Sequence, residues 1–303
     1  MHETSHSPVP SFLPFSLRHL NITRFHGYYD DPKNVYMVMN YASLGNLHHY
    51  IHTVENGIVP LERARLYLRQ VASALAYLGS AKVAHRDLKQ ENLVLTTRDT
   101  IQICDFGWAI HYHNEKRKTL CGTPLYVPPE MLRNVPYDPS FVDAWALGIL
   151  AHELILDESP FDLQDKEWDR CSSDDNRAQR KIIFDKIEHF SEWKAPAKGE
   201  SRAMSFISTL LQKDPQERMN ALDALGHPFL LDQISLGEKL PVFKTPNTRH
   251  TRRGQPALAK RRKLSRRDTN RDSLSFDGKE NACSLHKQGI ILSSTVVKRQ
   301  RRC

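Results

Sequence analysis

The stretch from residue 82 to residue 110 constrains this chain more than any other. KVAHRDLKQENLVL is followed five residues later by IQICDFGWAI, two short hydrophobic runs with polar groups crowded between them. Neither run carries helical periodicity, so the polar residues stand in loops held at apolar ends rather than on one face of a helix. A fold built around this chain has to supply walls for those loops.

The neighbouring segments supply them. ITRFHGYYDDPKNVYMVMNYA is rich in Tyr, Val and Met around the breaker DDPKN, which predicts two antiparallel strands joined by a short turn. From Leu61 to Leu78 the residues Leu61, Ala64, Leu68, Val71, Ala72, Leu75 and Leu78 recur at steps of mostly three and four, the stripe of an amphipathic helix. Helical spacing returns from Phe141 to Leu156, from Arg180 to Phe190 and from Ser201 to Gln212. A short strand region followed by helices predicts an α+β fold. No apolar run approaches the length of about 18 residues that a membrane span needs. The first residues, MHETSHSPVP, lack the features of a secretory signal, so a cytosolic or nuclear home without membrane contact is expected. Five cysteines, odd in number and without CxxC pairing, predict free thiols rather than a disulfide framework or a zinc site.

Phosphoryl transfer asks a protein for placement and charge rather than covalent chemistry. HRDLKQEN offers the parts: Asp87 to accept or orient a substrate hydroxyl proton, Lys89 to contact the transferred phosphate, Asn92 to ligate a metal. Asp105 in DFG adds a metal-binding carboxylate, and Gly107 lets the chain turn there. Each of these residues taken alone would ordinarily cap a turn or lie at the surface. Followed by CGTPLYVPPE and DAWALG, the set reads as one machine.

In these residues the chain resembles a eukaryotic protein kinase, and among protein kinases an Aurora kinase. The Aurora-like features are LRHLNITRFHGYYDDPKNVYMVMNYASLGNL, DFGWAIH and RKTLCGTPLYVPPEM, within residues 17 to 230. The resemblance implies a protein-kinase-like fold made mainly of the α-helical large lobe, with the hinge and a remnant of the small-lobe sheet. It implies Met39 as gatekeeper and Asn40, Tyr41 and Ala42 as the hinge that meets adenine, so that the ATP and Mg2+ set is Met39, Asn40, Tyr41, Ala42, Glu91, Asn92 and Asp105. Glu91 also matches a carboxylate that basic-directed kinases pair with substrate arginine. Thr119 matches an activating phosphothreonine whose phosphate would pair with Arg86. Thr123 would bridge toward Asp87 and Lys89, Glu130 and Arg218 would brace the large lobe as a buried ion pair, and Asp143 would hold the catalytic loop. Lys89 marks a Ser/Thr rather than a Tyr kinase.

The implied activity is transfer of the ATP γ-phosphate to protein Ser and Thr in basic contexts, with a mitotic role in chromosome segregation and histone phosphorylation. The implied partners include spindle or centromere activator proteins. The implied places are nucleus and cytoplasm, with spindle, centrosome or centromere in mitosis. Gln90 and Leu20 stand where the family usually has Pro, and Asn40 where it has an acidic residue. No GxG occurs anywhere, and the only Lys before the hinge is Lys33, in the turn between the two strands. The alternative is therefore a catalytically impaired kinase-like fragment or scaffold without the Gly-rich loop and ATP-anchoring Lys; a frame truncated upstream is the expected cause.

Three divisions follow: an unstructured leader over residues 1–16, an N-terminally truncated protein kinase domain over 17–231, and a basic disordered tail over 232–303. From Pro241 to Cys303 there are 17 Lys and Arg against 4 Asp and Glu, while the first 240 residues hold 26 against 31. That tail is polar, basic and poor in aromatics, a composition that cannot bury enough surface to order itself. AKRRKLSRR and VKRQRRC read as import or nucleic-acid patches, and Lys279, Glu280 and Asn281 spell a KEN sequence that resembles a ubiquitin-ligase degron.

Overall fold

The computed structural model describes residues 16–31, 34–54, 57–113, 115–133, 135–163, 176–194, 200–232 and 294–300. The aromatic and β-branched residues around the DDPKN turn form the expected hairpin. β1 (Phe25–Asp30) pairs antiparallel with β2 (Asn34–Asn40), from Phe25 opposite Met39 to Asp30 opposite Val35. Tyr29 and Tyr36 stack across the strands with ring centroids 4.6 Å apart, a side-chain pair that fixes this register.

From Leu47 onward the described residues are mainly helical. α1 (Leu47–Val54) is a short helix that the sequence reading did not foresee, and α2 (Leu61–Ser80) is the predicted amphipathic one. The two-stranded pairs that follow are built from the apolar runs around the polar loops. β3 (Val83–Ala84) pairs with β6 (Ile110–His111), and β4 (Leu93–Thr97) with β5 (Thr100–Ile103). Then come α3 (Pro129–Leu132), α4 (Val142–Leu156), α5 (Asn176–His189), α6 (Ser201–Leu210), α7 (Ala221–Ala224) and α8 (Pro228–Leu231).

α4 is the axis of the core. Twelve of its fifteen residues are buried, so it is apolar all round rather than on one stripe. Trp145 on α4 stacks on Phe161 at 5.8 Å and meets Phe190 edge-on. The window from Pro139 to Leu156 even has the length and hydropathy of a membrane span, contrary to the sequence expectation, and 72 % of it is buried inside the fold. Its apolarity is that of a central core helix. α4 and α6 approach so closely that a Cβ on Gly148 would lie 2.8 Å from Leu211 Cδ2 and 2.9 Å from Leu210 Cβ. Gly148→Ala is expected to lose about 0–2 kcal/mol in urea denaturation, because overpacking of about 1–3 kcal/mol meets a helix-propensity gain of about 1 kcal/mol.

Residues 17–23 tie the hairpin to the helices. Asn21, buried, donates through Nδ2 to Gln70 Oε1 at 2.7 Å and to the Ile101 carbonyl at 2.8 Å. The same Gln70 oxygen accepts the Ile101 amide at 3.0 Å. Asn21 and Thr23 exchange backbone hydrogen bonds with Ile103, and Gln102 donates to the Leu20 carbonyl. These bonds fix the seat of the segment, although Asn21 Oδ1, Thr23 Oγ1 and Gln102 Oε1 are buried without a hydrogen-bond partner among the described residues.

β7 (Ser294–Gln300) runs antiparallel along the outer edge of β2, from Asn40 opposite Ser294 to Asn34 opposite Gln300. These seven residues depart from the disorder expected of 232–303. STVV is β-branched, and β2 would otherwise present a row of unpaired backbone groups. Residues 1–15 and 233–293, including Lys279, Glu280 and Asn281, lie outside the described residues.

Candidate active site

The polar loop is held from below by Asp143 at the start of α4. Its buried carboxylate accepts the amides of His85 at 2.7 Å and Arg86 at 2.8 Å. Burial raises the Asp143 pKa, and the facing His85 and Arg86 groups work against that rise. His85 Nε2 lies 2.9 Å from the Cys104 carbonyl and donates to it, which leaves Nδ1 to accept the Asp87 amide at 3.3 Å. Arg86 takes φ +65°, a left-handed conformation uncommon for a side chain with a Cβ, and these fixed neighbours hold it there.

Asp87, Lys89, Asn92 and Thr123 converge. Thr123 Oγ1 donates to Asp87 Oδ1 at 2.9 Å and accepts from Lys89 Nζ at 2.7 Å. Lys89 Nζ stands 3.8 Å from Asp87 Oδ2. Asn92 Nδ2 donates to the Asp87 carbonyl at 2.7 Å and to Oδ2 at 3.1 Å. Both carboxylate oxygens are thus engaged, and rotation of the Asp87 side chain would break two bonds at once. Gly122, at φ +93°, makes the approach of Thr123 feasible: a Cβ there would meet the Arg86 carbonyl at 2.7 Å.

Asp105 opens a one-turn 3-10 helix at φ +54° and accepts the Gly107 amide at 3.1 Å. The Cys104 amide donates to the Asn92 carbonyl at 2.8 Å, which seats the DFG strand beside the catalytic loop. Asn92 gives its Nδ2 protons to Asp87, so its Oδ1 is the atom left for a hard cation. No cluster of three or more His, Cys, Asp or Glu residues able to hold a metal occurs among the described residues. One carboxylate and one amide oxygen suit Mg2+, which takes few protein ligands and completes its shell with water and phosphate. Of the residues expected on the adenine side, Met39 and Asn40 end β2 and Tyr41 and Ala42 follow it: Met39 is buried, Asn40 donates its amide to the Arg24 carbonyl, Tyr41 is exposed and Ala42 half-buried.

Thr119 is exposed, and Tyr137 links it to Arg86: the Tyr137 hydroxyl donates to the Thr119 carbonyl at 2.8 Å and accepts from Arg86 Nη1 at 3.3 Å. Glu130 and Arg218 form a buried two-pronged pair, Nη1 to Oε1 at 2.7 Å and Nη2 to Oε2 at 2.9 Å. Glu91 lies exposed on the short turn between Lys89 and β4.

One cluster was missed by the sequence reading. Glu153, in the last turns of α4, accepts hydrogen bonds at Oε2 from Gln90 Nε2, at 2.9 Å, and from the Tyr126 hydroxyl. The signal was a second carboxylate, after Asp143, inside the mostly apolar VDAWALGILAHELIL. Burial pushes its pKa up to about 7, the Tyr126 and Gln90 hydrogen bonds hold it down in part, and the Glu91 and Asp162 charges push it further up. A folded carboxyl that keeps its proton up to about pH 7 stabilises the fold below its ordinary value of 4.5, and this stabilisation is lost as the pH rises through about 7. The chain should lose roughly 2–3 kcal/mol from this source between about pH 5 and 7.5, and Glu153→Gln should flatten that slope in denaturation series across this range.

Comparison with known proteins agrees with this arrangement. The protein kinase domain family matches residues 14–230. An Aurora kinase of Encephalitozoon cuniculi is 36 % identical over 216 residues, 71 % of this chain and 74 % of that protein. Aurora kinase C of Mus musculus is 34 % identical over 214 residues, 71 % of each chain. Aurora kinase A-A of Xenopus laevis is 35 % identical over 225 residues, 74 % of this chain and half of that longer protein. The match likewise spans half the length of the Patiria pectinifera Aurora kinase. The fold and loop set are those of a protein kinase. Within that class, the chain belongs to the Aurora family of serine/threonine kinases.

Proposed function

We propose that the chain transfers the γ-phosphate of ATP to Ser and Thr hydroxyls of proteins in basic sequence contexts. The observation that carries this is the hydrogen-bonded relay of Lys89, Thr123, Asp87 and Asn92, which orients one carboxylate before any substrate arrives. Mg-ATP, when bound, would supply the phosphoryl group, and its cation would neutralise charge on the phosphates. Asp87 accepts the hydroxyl proton or holds the hydroxyl in line, and Lys89 carries positive charge beside it. Asn92 and Asp105 offer oxygens to the cation, and residues 39–42 line the adenine side.

Arg86 and Asp143 fix the loop, Thr123 orients Asp87 and Lys89, and Glu130 with Arg218 braces the wall beneath the substrate. Thr119 is the site of an activating phosphate. The Aurora family name carries the reading of a mitotic role, with spindle, centrosome or centromere proteins as activators and substrates and with nuclear and cytoplasmic residence; the KEN sequence alone carries that of a ubiquitin ligase reading residues 279–281.

The test offers the full chain Mg-ATP with a basic peptide containing one Ser and with the same peptide carrying Tyr there. Phosphate on the Ser peptide alone, located by mass spectrometry, is expected. Transfer no greater than that of a heat-denatured sample would reject the kinase reading and leave a kinase-like scaffold.

A further inference from the structure

Residues 105–113 and 115–123 converge on a side chain to which neither the sequence reading nor the proposed chemistry gives a part. Tyr137 lies beyond α3 and is 3 % exposed. Its backbone exchanges two hydrogen bonds with Arg117, amide to carbonyl in both directions at 2.8 Å. Its ring packs with Cys121, Val127, Met131 and Val142 in a small apolar cluster separate from the main core. Its hydroxyl joins Arg86 Nη1 to the carbonyl of Thr119. Arg86 in turn donates through Nε to the Trp108 carbonyl at 2.9 Å. One guanidinium therefore holds the beginning of the segment directly and its far part through one phenol.

We propose that the Tyr137 hydroxyl is a phosphate-independent latch, which positions the activation segment on Arg86 while Thr119 carries no phosphate. The chemistry suits the task. A buried hydroxyl that both donates and accepts is satisfied only in this closed arrangement, and opening the segment strands it. Phosphate on Thr119 would bring three strong acceptor oxygens and about −1.5 to −2 charges close to a guanidinium now engaged by a neutral oxygen. The phosphate then takes over the latch rather than creating order where there was none. That second half rests on Thr119 being the phosphosite; the first half rests on the hydrogen bonds alone.

Tyr137→Phe keeps the ring and removes only the link. In the unphosphorylated full chain, amide hydrogen exchange at Arg117 and over residues 115–121 should quicken about fivefold, as expected for one lost hydrogen bond, while β4 and β5 stay unchanged. An unchanged rate over 115–121 overturns the latch, and so does an equal rise in β4 and β5, which would mark general loosening. Met131→Ala loosens the same apolar cluster without touching the hydroxyl. Phosphorylation of Thr119 by an active Aurora kinase should restore protection to Tyr137→Phe and not to Met131→Ala. If Tyr137→Phe exchanges faster and phosphate does not slow it, the latch stands and the reading of Thr119 falls instead.

Discussion

Asp87→Asn is expected to cut phosphate transfer by about 10²- to 10⁴-fold, the range of a positioned proton acceptor, or roughly 3–5 kcal/mol in the barrier. The substitution is nearly isosteric. Thr123 can still donate to the amide oxygen that replaces Oδ1, so the relay of Lys89, Thr123 and residue 87 keeps its shape. What is lost is the charge beside Lys89 Nζ, the hydrogen bond that Oδ2 accepts from Asn92 Nδ2 and the capacity to take a proton. Initial rates with the basic Ser peptide, measured beside denaturation midpoints of both proteins, separate chemistry from folding. Equal rates at equal stability would remove Asp87 from the mechanism.

The second large effect concerns stability. Arg218→Ala should cost about 3–5 kcal/mol in urea denaturation, the usual penalty for leaving one member of a buried ion pair behind. Arg218 is 3 % exposed and does more than pair with Glu130: it donates to the carbonyls of Gln212 and Phe141 and lies 5.1 Å over the Trp145 ring. Its removal therefore uncovers a carboxylate, two carbonyls and an aromatic face together. Pairing Arg218→Ala with Glu130→Gln should recover part of the loss, with a coupling of about 0.5–3 kcal/mol, because the uncompensated charge goes as well. Equal stability of the Arg218→Ala and parent chains would deny the pair its bracing role.

Much of the fold could be read in advance where one physical signal dominates. The stripe of α2 gave its length to within two residues, since nothing competes with an amphipathic period twenty residues long. The α6 helix stops two residues earlier than its apolar pattern because Leu211 leaves helical torsions at ψ +42°. The Aurora-like motifs placed Asp87, Lys89, Asn92 and Thr123 in one site, and the hydrogen bonds among them join those four side chains. Glu153 and Tyr137 stayed hidden for a different reason. Each acts across more than fifteen residues of chain, on Tyr126 or Thr119, and neither sits in a short pattern that spacing could reveal. LHHYIHTV hid α1, since three histidines blur the contrast between its faces. β7 was illegible because its order depends on the edge of β2, some 250 residues earlier in the chain.

The anchor formed by Asn21, Gln70 and Ile101 changes where the molecule can bend. The segment entering β1 is stitched to α2 and β5 before the hairpin starts, and soon after β2 ends at Asn40 the Leu44 amide donates to the Leu95 carbonyl of β4. The hairpin is clamped at both roots. In free-energy terms the cooperative unit begins near Leu17, so the two hairpin strands open with the α2 and β5 elements rather than on their own.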